Sequence, residues 1–364
     1  MDANNKLDQI YFDLVNQILY YGTNKSDRTG TGTKSIFDYT FKLNMQDGFP
    51  ILTSKKMYIK GIVYELMWFL GLHLKDVKYK KFGRTNIKYL VDNNVNIWIG
   101  DVYKKYKHDS ANILSQQEFT DMLKTYDDFA LEHGQTGPIY GQQWRSWKKY
   151  NFSDQNGAVD CGLITSEESD KENHIDQISI LIEELKNNPD SRRLIVSSWN
   201  CADLDNMLLP PCHYGFQCWT RELTLNERIK YWCDSLEKDI SYGEDFDHQK
   251  LDTLNIPKRN LSLKWTQRSA DVFFGLPYNV TSYALLLHLL AKEVNMIADE
   301  LIFSGGDVHL YNNIIPQVKE QLYRQTFKLP NIKLKNQSLE DFKYEDLEII
   351  NYQSDKILKG DLSN

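Results

Sequence analysis

Residues 261–294 read LSLKWTQRSADVFFGLPYNVTSYALLLHLLAKEV, which predicts a strand, a loop and a long helix in succession. The strand is expected over residues 261–267, and the most apolar helix of the chain over 279–294. Further strands are predicted at 35–43, 193–199 and 214–220, and further helices at 7–21, 59–70, 86–91, 108–133 and 174–186. Because strands and long helices occur without regular βαβ alternation, the pattern predicts one α+β domain with insertions.

The composition is that of a globular protein: among 364 residues, 41% are hydrophobic and 13% aromatic, enough for a folded core. The chain carries 43 basic and 50 acidic residues, a net charge of −7, so we expect no nucleic-acid partner. No long apolar run or secretory signal is visible, so no membrane association is expected. The five cysteines lack C-x-x-C spacing, which indicates reduced thiols, a cytoplasmic protein and no metal site.

Cys212 is the candidate nucleophile, because it follows Pro210 and Pro211 directly before a predicted strand. Two prolines restrict the backbone there, so the thiol can be held in an exposed, directed position. A thiolate is a strong nucleophile when a nearby cation lowers its pKa. A buried structural cysteine is the alternative, since free cysteines are usually buried.

Two further motifs carry groups that suit a nucleotide. Arg268 and Ser269 follow strand 261–267, and a guanidinium next to a hydroxyl suits a phosphate, with a surface salt bridge as the alternative. Asn279 stands at the start of the predicted helix, where an asparagine is usually an N-cap. The functional alternative is an amide that reads the polar edge of a base.

His309 and Tyr311 lie two residues apart on a predicted strand, so both side chains point to one face and suit sugar hydroxyls. A buried core histidine is the alternative. Arg28 lies in a Gly/Thr loop at residues 27–33, which is too short and wrongly placed for a phosphate-binding P-loop. Together, these side chains predict a nucleotide whose base is attacked by a thiolate.

At these residues the chain closely resembles the thymidylate synthase family, which includes the phage pyrimidine nucleotide hydroxymethylases. Similar blocks run in the family's order at residues 27–33, 47–50, 65–70, 93–98, 137–141 and 190–193, around Cys212, Arg268 and Asn279, and at 305–311. The resemblance implies one thymidylate synthase-like α+β domain over residues 1–364, with a mixed β-sheet packed by long helices. Insertions are expected at about 72–84, 107–135, 152–173 and 222–259, and a C-terminal tail at about 353–364.

The resemblance also implies the reaction: a one-carbon unit passes from 5,10-methylenetetrahydrofolate to C5 of dUMP, without a metal, after a thiolate has added to C6. Its catalytic residues are Cys212, Glu65, Tyr140, Arg268 and Asn279. Its substrate-binding residues are Arg28, Arg192, Arg193, Gln267, Ser269, His309 and Tyr311. The folate-facing positions are Trp98, Leu209, Asp271, Gly275 and Tyr278.

A homodimer is implied as well, because Arg192 and Arg193 complete the phosphate site of the partner in this family. Uracil is the expected base, since cytosine-specific members have aspartate where this chain has Asn279. An amide pairs with the O4 and N3–H edge of uracil, whereas a carboxylic acid suits the amino edge of cytosine.

The family divides at its last step, where synthases transfer hydride to give dTMP and hydroxymethylases add water to give 5-hydroxymethyl-dUMP. Residues 359–364 end on a polar residue, and Asp101 and Tyr58 replace a common tryptophan and histidine on the folate side. These differences favour a deoxyuridylate hydroxymethyltransferase of a phage with modified DNA, acting in the host cytoplasm. Thymidylate synthesis is the alternative, which Trp98 favours because it shields the methylene.

A non-catalytic nucleotide- or RNA-binding descendant is a remote alternative. The basic segment 75–84 is its only support, and such a run is more often a solvated surface loop. The joint presence of Cys212, Arg268, Glu65 and Tyr140 favours an enzyme.

Overall fold

The computed structural model describes residues 5–110, 113–149, 173–236, 246–335 and 338–363. The chain forms two compact units. The first comprises Met1–Val63, Glu184–Ile195 and Cys212–Asn364, and the second comprises Tyr64–Glu183 and Val196–Pro211. The single domain over 1–364 and the four insertions stay predictions, and the loop predicted at 152–173 lies, except for Asn173, outside the described residues.

The helices are α1 Lys6–Tyr21, α2 Ile59–Phe69, α3 Val77–Lys80, α4 Lys88–Asp92, α5 Ile99–Asp109, α6 Gln116–Thr125, α7 Asp127–His133, α8 Tyr140–Arg145, α9 Gln177–Asn187, α10 Leu225–Leu236, α11 His248–Thr253, α12 Gly275–Glu293 and α13 Ile315–Gln321. The strands are β1 Thr23–Lys25, β2 Thr33–Asn44, β3 Trp147–Lys148, β4 His174–Ile175, β5 Ile195–Ser197, β6 His213–Glu222, β7 Arg259–Asp271, β8 Ile297–Tyr311, β9 Asn331–Leu334 and β10 Leu347–Ile350.

The first unit is organised around a mixed sheet in the order β1-β2-β8-β7-β6. Strands β7 and β8 are parallel, and the other neighbouring pairs are antiparallel. A parallel pair needs a long crossover connection, which α12 supplies between β7 and β8. Because α12 packs on both strands and α1 on β2, the predicted α+β fold with long helices on a mixed sheet is confirmed.

Aromatic side chains hold α12 against the sheet. Trp265 of β7 is fully buried and stacks on Tyr283 of α12, with ring centroids 5.2 Å apart and planes 13° from parallel. Phe41 of β2 and Phe303 of β8 continue the cluster, with centroids 5.0 Å apart. Such large rings dominate core energetics, so this contact fixes the end of β7 relative to the start of α12.

Helix α12 begins at Gly275 rather than at 279. Pro277 lies in the first turn, where a missing N–H costs no helical hydrogen bond, so it does not delay the helix. Asn279 is therefore inside the helix, and the N-cap interpretation is wrong because the N-cap residue is Phe274.

Other boundaries also differ from the predictions. The strand predicted at 193–199 is limited to β5, and the segment predicted as a helix from residue 174 opens with β4 before α9 begins. The polar helix predicted at 108–133 divides into α6 and α7. Ser115 and Glu118 form a capping box that starts α6 after the end of α5.

The basic segment 75–84 is only partly a loop, because it contains the end of a 3-10 helix, Leu72–Lys75, and all of α3, whereas residues 81–84 are turns and irregular structure. Two of its lysines form ion pairs in the second unit: Lys78 lies 2.5 Å from Asp92, and Lys81 lies 2.7 Å from Asp127. Acidic neighbours therefore neutralise part of the basic run, which weakens its interpretation as a binding patch for a polyanion.

The segment between β6 and β7 contains α10 and α11, joined by one buried arginine. Arg228 is 2% exposed and donates to the carbonyls of Pro257 and Ile256, to the carbonyl of His248 and to the carboxylate of Asp252. A buried guanidinium with these partners satisfies its hydrogen-bonding capacity.

Within the described residues, no helix combines the length and apolar character needed to cross a membrane.

The first turn of α1 is fixed by a fully buried carboxylate. Asp8 accepts hydrogen bonds from the amide of Asn5 at 2.6 Å, from the backbone and hydroxyl of Thr53 at 2.9 and 2.6 Å, and from the backbone N–H of Ser54 at 3.1 Å. The hydrogen bonds that the Asp8 carboxylate accepts thus connect α1 to residues 53–54, which precede α2.

We expect Asp8→Asn to destabilise the fold by about 2 kcal/mol, because an amide nitrogen would face buried donors that then lose their acceptor. Urea unfolding measures the loss. Asp13→Asn, on the exposed side of the same helix, is the matched control and should change stability by less than about 0.5 kcal/mol. Equal effects of the two substitutions would contradict this role of Asp8.

Candidate active site

Cys212 lies directly before β6, and a backbone hydrogen bond ties it to the end of β7. Its carbonyl accepts from the N–H of Arg268 at 2.9 Å, so the candidate nucleophile and the candidate phosphate arginine are held side by side. Cys212 is half-buried. Cys218, in contrast, is 1% exposed, and burial raises the pKa of its thiol to about 12. The buried structural alternative thus describes Cys218 and not Cys212.

His213, the next residue, is not a base for this thiol. It is buried, its Nδ1 lies 2.8 Å from the hydroxyl of Tyr283, and burial lowers its pKa to about 3. The ring is therefore neutral at physiological pH and serves packing between β6 and α12.

The amide of Asn279 is oriented from β7. Gln267 is 3% exposed, and its Nε2 donates to Oδ1 of Asn279 at 3.2 Å and to the carbonyl of Ser269 at 3.3 Å. Its Oε1 accepts from Nε1 of Trp265 at 2.9 Å. Among the described residues, Nδ2 of Asn279 has no hydrogen-bond partner, so this donor is available to a ligand.

Tyr311 at the end of β8 lies among the other candidates. Burial raises the pKa of its phenol, and the charges of Asp271, Asp27, Arg28 and Cys212 act on it as well. Four sequence-separated segments of the first unit, at residues 27–28, 212, 271 and 311, therefore approach one another at this tyrosine. The nucleophile and the phosphate-, sugar- and folate-facing candidates Arg28, Tyr311 and Asp271 of this unit therefore share one region.

Arg28 is exposed on a loop that its neighbour Asp27 shapes. The Asp27 carboxylate accepts from the backbone N–H of Gly32 at 3.0 Å and from the hydroxyl of Thr29 at 2.5 Å. Gly32 has a φ of +77°, which favours glycine at this turn. No ion-pair partner of Arg28 occurs in the described ranges, which leaves its guanidinium available to an anion.

His309 is held by a carboxylate that the sequence motif contains but that sequence reasoning did not assign. Nδ1 of His309 lies 3.0 Å from Asp307, which also accepts from Lys25 at 2.5 Å and from Ser35 at 2.8 Å. Although burial raises the pKa of Asp307, its hydrogen bonds with Lys25 and Ser35 hold that pKa below the usual value. An ionised carboxylate only accepts, so Nδ1 donates, and in the neutral ring Nε2 is then the acceptor.

Lys55 is a second residue that sequence reasoning missed. It is 4% exposed, its ammonium donates to the carbonyl of Phe273, and it lies 3.8 Å from the centre of the Phe273 ring. Burial lowers its pKa to about 7, while the neighbouring Asp271 opposes this shift. Burial also raises the pKa of Asp271, whose Oδ1 accepts from the N–H groups of Phe273 and Phe274.

The second unit contains a half-buried carboxylate on α2. Oε1 of Glu65 accepts from Nε1 of Trp98 at 2.8 Å. Burial raises the pKa of Glu65 to about 7, and the indole hydrogen bond opposes that rise because it favours the charged form. A carboxyl that titrates near neutral pH can both take up and release a proton.

Tyr140 and Leu209 belong to the same unit as Glu65. Tyr140 opens α8, is buried, and has its ring centroid 4.6 Å from Phe69 and 6.2 Å from Trp98. Gly137 precedes it with a φ of +74°, and a Cβ there would lie 2.0 Å from the carbonyl of Asn206. Only glycine allows this approach, which brings the segment before Leu209 against the segment before Tyr140.

The remaining candidates lie at element ends of the first unit. Arg192 and Arg193 are exposed just before β5, with no ion-pair partner in the part of the chain that the structure describes. Ser269 is near the C-terminal end of β7, and Gly275 and Tyr278 are in the first turn of α12. The first unit thus contains most candidates, and the second contains Glu65, Trp98, Tyr140 and Leu209.

Three supporting residues were missed, namely Trp265, Asp307 and Lys55. For two of them the sequence holds a signal: Trp265 is two residues from Gln267, and Asp307 is two residues from His309. Side chains two residues apart on a strand point to the same face, so the alternation along the strand could have predicted that Trp265 lies beside Gln267 and Asp307 beside His309. Burial of Lys55 depends on tertiary packing and has no comparable signal.

Comparison with known proteins agrees with this arrangement. The sequence model of the family described as thymidylate synthase matches residues 9–364. A thymidylate synthase of Aster yellows witches'-broom phytoplasma (strain AYWB) is 38% identical over 356 residues, which are 97% of this chain and 99% of the relative. On both grounds, the chain belongs to the thymidylate synthase family.

Proposed function

We propose that this protein is a thymidylate synthase that converts dUMP to dTMP, with the methylene carbon and hydride supplied by the folate co-substrate. The co-substrate of the family is 5,10-methylenetetrahydrofolate, and the described residues contain no group of three metal-ligating side chains. The observation that carries the nucleotide chemistry is the pairing of half-buried Cys212 with Arg268 across β6 and β7. The nearly full-length match to a named synthase favours methyl as the product group.

The proposed roles in the first unit follow from donor type and position. Cys212 adds to C6 of uracil as a thiolate, and the charge of Arg268 favours that thiolate. Negative charge then develops at O4, where Nδ2 of Asn279 donates a hydrogen bond. Arg28, Arg268 and Ser269 bind the phosphate, and Nε2 of His309 accepts from the 3′-hydroxyl, next to Tyr311.

Glu65 and Tyr140 are the proposed proton carriers for C5 of the base. A carboxyl with a pKa of about 7 exchanges protons at physiological pH without a large energetic cost. The bond from Trp98 keeps the carboxylate in one orientation, so Trp98 serves both Glu65 and the folate face.

The folate fits the residues assigned to it. Among the described residues, Oδ2 of Asp271 has no hydrogen-bond partner, since the N–H groups of Phe273 and Phe274 both donate to Oδ1. A free carboxylate oxygen in a mostly buried position suits the N–H edge of a pterin ring. Gly275 and Tyr278 in the adjacent turn of α12, and separately Leu209 and Trp98, offer apolar surface for the remainder.

A homodimer is part of this proposal. Strand β6 exposes 59% of Trp219 and 40% of Tyr214, an unusual amount of aromatic surface for a sheet that stays in water. A second copy over this sheet would cover those rings. Arg192 and Arg193, exposed and unpaired within the described ranges, suit the phosphate of the partner's substrate.

A deoxyuridylate hydroxymethyltransferase is the second candidate. Tyr58 is 42% exposed, and Asp101 lies in the first turn of α5. In the tail, the hydroxyl of Ser363 donates to Oδ1 of Asn313 at 3.0 Å, and the backbone carbonyl of Asp361 accepts from Nδ2 of Asn313 at 2.9 Å. Polar groups at the folate side and at the chain end favour access of water, and hydride transfer needs water to be excluded.

The mass of the nucleotide product distinguishes the two candidates. With dUMP and 5,10-methylenetetrahydrofolate, we expect dTMP and an equal amount of dihydrofolate. Mass spectrometry identifies the nucleotide product, and absorbance measures the dihydrofolate. A product heavier than dTMP by one oxygen, with tetrahydrofolate, would instead identify the hydroxymethyltransferase. Absence of tritium release from C5-labelled dUMP would exclude both and favour a non-catalytic protein.

Cys212→Ser should reduce turnover by at least about 10³-fold under either candidate, because a serine hydroxyl is far less nucleophilic at neutral pH. The matched control is Cys201→Ser on an exposed cysteine, which should retain activity. Turnover is measured by tritium release at saturating substrates. Retained activity in Cys212→Ser would refute the covalent mechanism.

Trp98→Phe should move the acidic limb of the kcat profile to higher pH. The indole hydrogen bond favours ionised Glu65, so its loss raises the pKa of Glu65 above about 7 and less carboxylate is present at a given pH. Trp144→Phe is the control, since its indole donates to Ser198 instead. An unchanged limb in Trp98→Phe, or an equal shift in Trp144→Phe, would contradict this coupling.

A further inference from the structure

An asparagine side chain does not by itself distinguish uracil from cytosine. With its NH₂ toward position 4 of the base and its oxygen toward position 3, it pairs with O4 and N3–H of uracil. Rotated by 180°, the same amide offers its oxygen to the 4-amino group and its NH₂ to N3 of cytosine. Selectivity for uracil therefore requires something that fixes which end of Asn279 points where.

The first unit contains a chain of hydrogen bonds with a fixed direction at its origin. An indole N–H can only donate, so the 2.9 Å contact from Trp265 requires the oxygen of Gln267 at that end. Gln267 must then present its NH₂ toward Asn279, where the 3.2 Å contact requires Oδ1. Nδ2 of Asn279 is left as the donor for the ligand, which is the uracil-reading orientation.

We propose that Trp265 is a specificity-determining residue, which through Gln267 holds the Asn279 amide in the orientation that accepts uracil and rejects cytosine. This inference rests on the proposed function, because it requires Asn279 to read the base. Trp265 does not touch the substrate, so it is a positioning residue.

Burial makes the orientation hard to reverse. Trp265 is 0% exposed and Gln267 3%, so water cannot easily replace a contact that a rotated amide would lose. Stacking of Trp265 on Tyr283, with planes 13° from parallel, also fixes the direction of its N–H. The donor is thus held in place by the same contact that joins β7 to α12.

A second anchor limits the size of the effect. The carbonyl of Ser269 only accepts, and it holds the Gln267 NH₂ at 3.3 Å, a longer contact than the 2.9 Å bond from Trp265. Loss of the indole donor therefore weakens the orientation without abolishing it. One buried hydrogen bond corresponds to a change of about fivefold in an equilibrium.

The test replaces the Trp265 indole with its sulfur isostere, 3-benzothienylalanine, by site-specific incorporation. This ring keeps the shape and stacking but cannot donate, so the core contact with Tyr283 is retained. Calorimetry with the full-length protein measures the Kd of dUMP and of dCMP. The same replacement at Trp232, on α10 of the segment between β6 and β7, is the matched control.

We expect the preference for dUMP over dCMP to fall about fivefold at position 265, with dCMP binding improved, and to be unchanged at position 232. A preference within twofold of the unmodified protein would overturn the proposal. Equal weakening of both nucleotides would also overturn it, because that pattern indicates a packing role. An unmodified protein without any preference for dUMP would refute the proposed function itself, which separates the two failures.

Asn279→Asp provides the positive control for cytosine acceptance, since a carboxyl can accept from the 4-amino group. Its dCMP affinity sets the upper limit against which the isostere is compared. If Asn279→Asp leaves the dCMP affinity unchanged, Asn279 does not read the base edge, and the proposal fails with it.

Discussion

The contact between Trp265 and Tyr283 is the constraint on which the nucleotide side of the protein depends. It joins the C-terminal part of β7, which carries Gln267, Arg268 and Ser269, to α12, which carries Asn279. Because interiors are close-packed, neither element can shift without moving the other. Side chains that must meet one ligand are thereby kept in register without any direct bond between most of them.

Burial sets the chemistry of the charged groups in both units. Desolvation raises the pKa of Glu65 and lowers those of Lys55 and His213, in each case by disfavouring the charged form. Because burial lowers the pKa of His213, its imidazole does not serve as a base for the neighbouring Cys212 thiol. For Glu65 the same effect creates a group that can exchange protons near pH 7.

Much of the fold was predictable from sequence, for reasons that particular elements make clear. Helix α1 and strands β2, β6 and β7 have apolar residues at the period of their structure, so their types were correct. The start of α12 was missed because Gly275 and Pro277 suggest a loop, although proline fits a first helical turn. The charges of segment 75–84 favour a solvated loop in sequence, but part of the segment forms short helical turns, where Lys78 of α3 pairs with Asp92.

The sequence by itself determined the family and the set of reactive side chains, because nucleophile, arginines, amide and histidine stand in motifs that local order preserves. Tertiary structure alone decided how those side chains are oriented and charged. The direction of the Asn279 amide comes from Trp265 through Gln267, and the tautomer of His309 comes from Asp307, Lys25 and Ser35. Trp265 and Asp307 are close to Gln267 and His309 in sequence, but the contacts of Gln267 with Asn279 and of Asp307 with Lys25 and Ser35 join separate elements. Those contacts, and the desolvation that shifts the pKa values, exist only after the elements have packed.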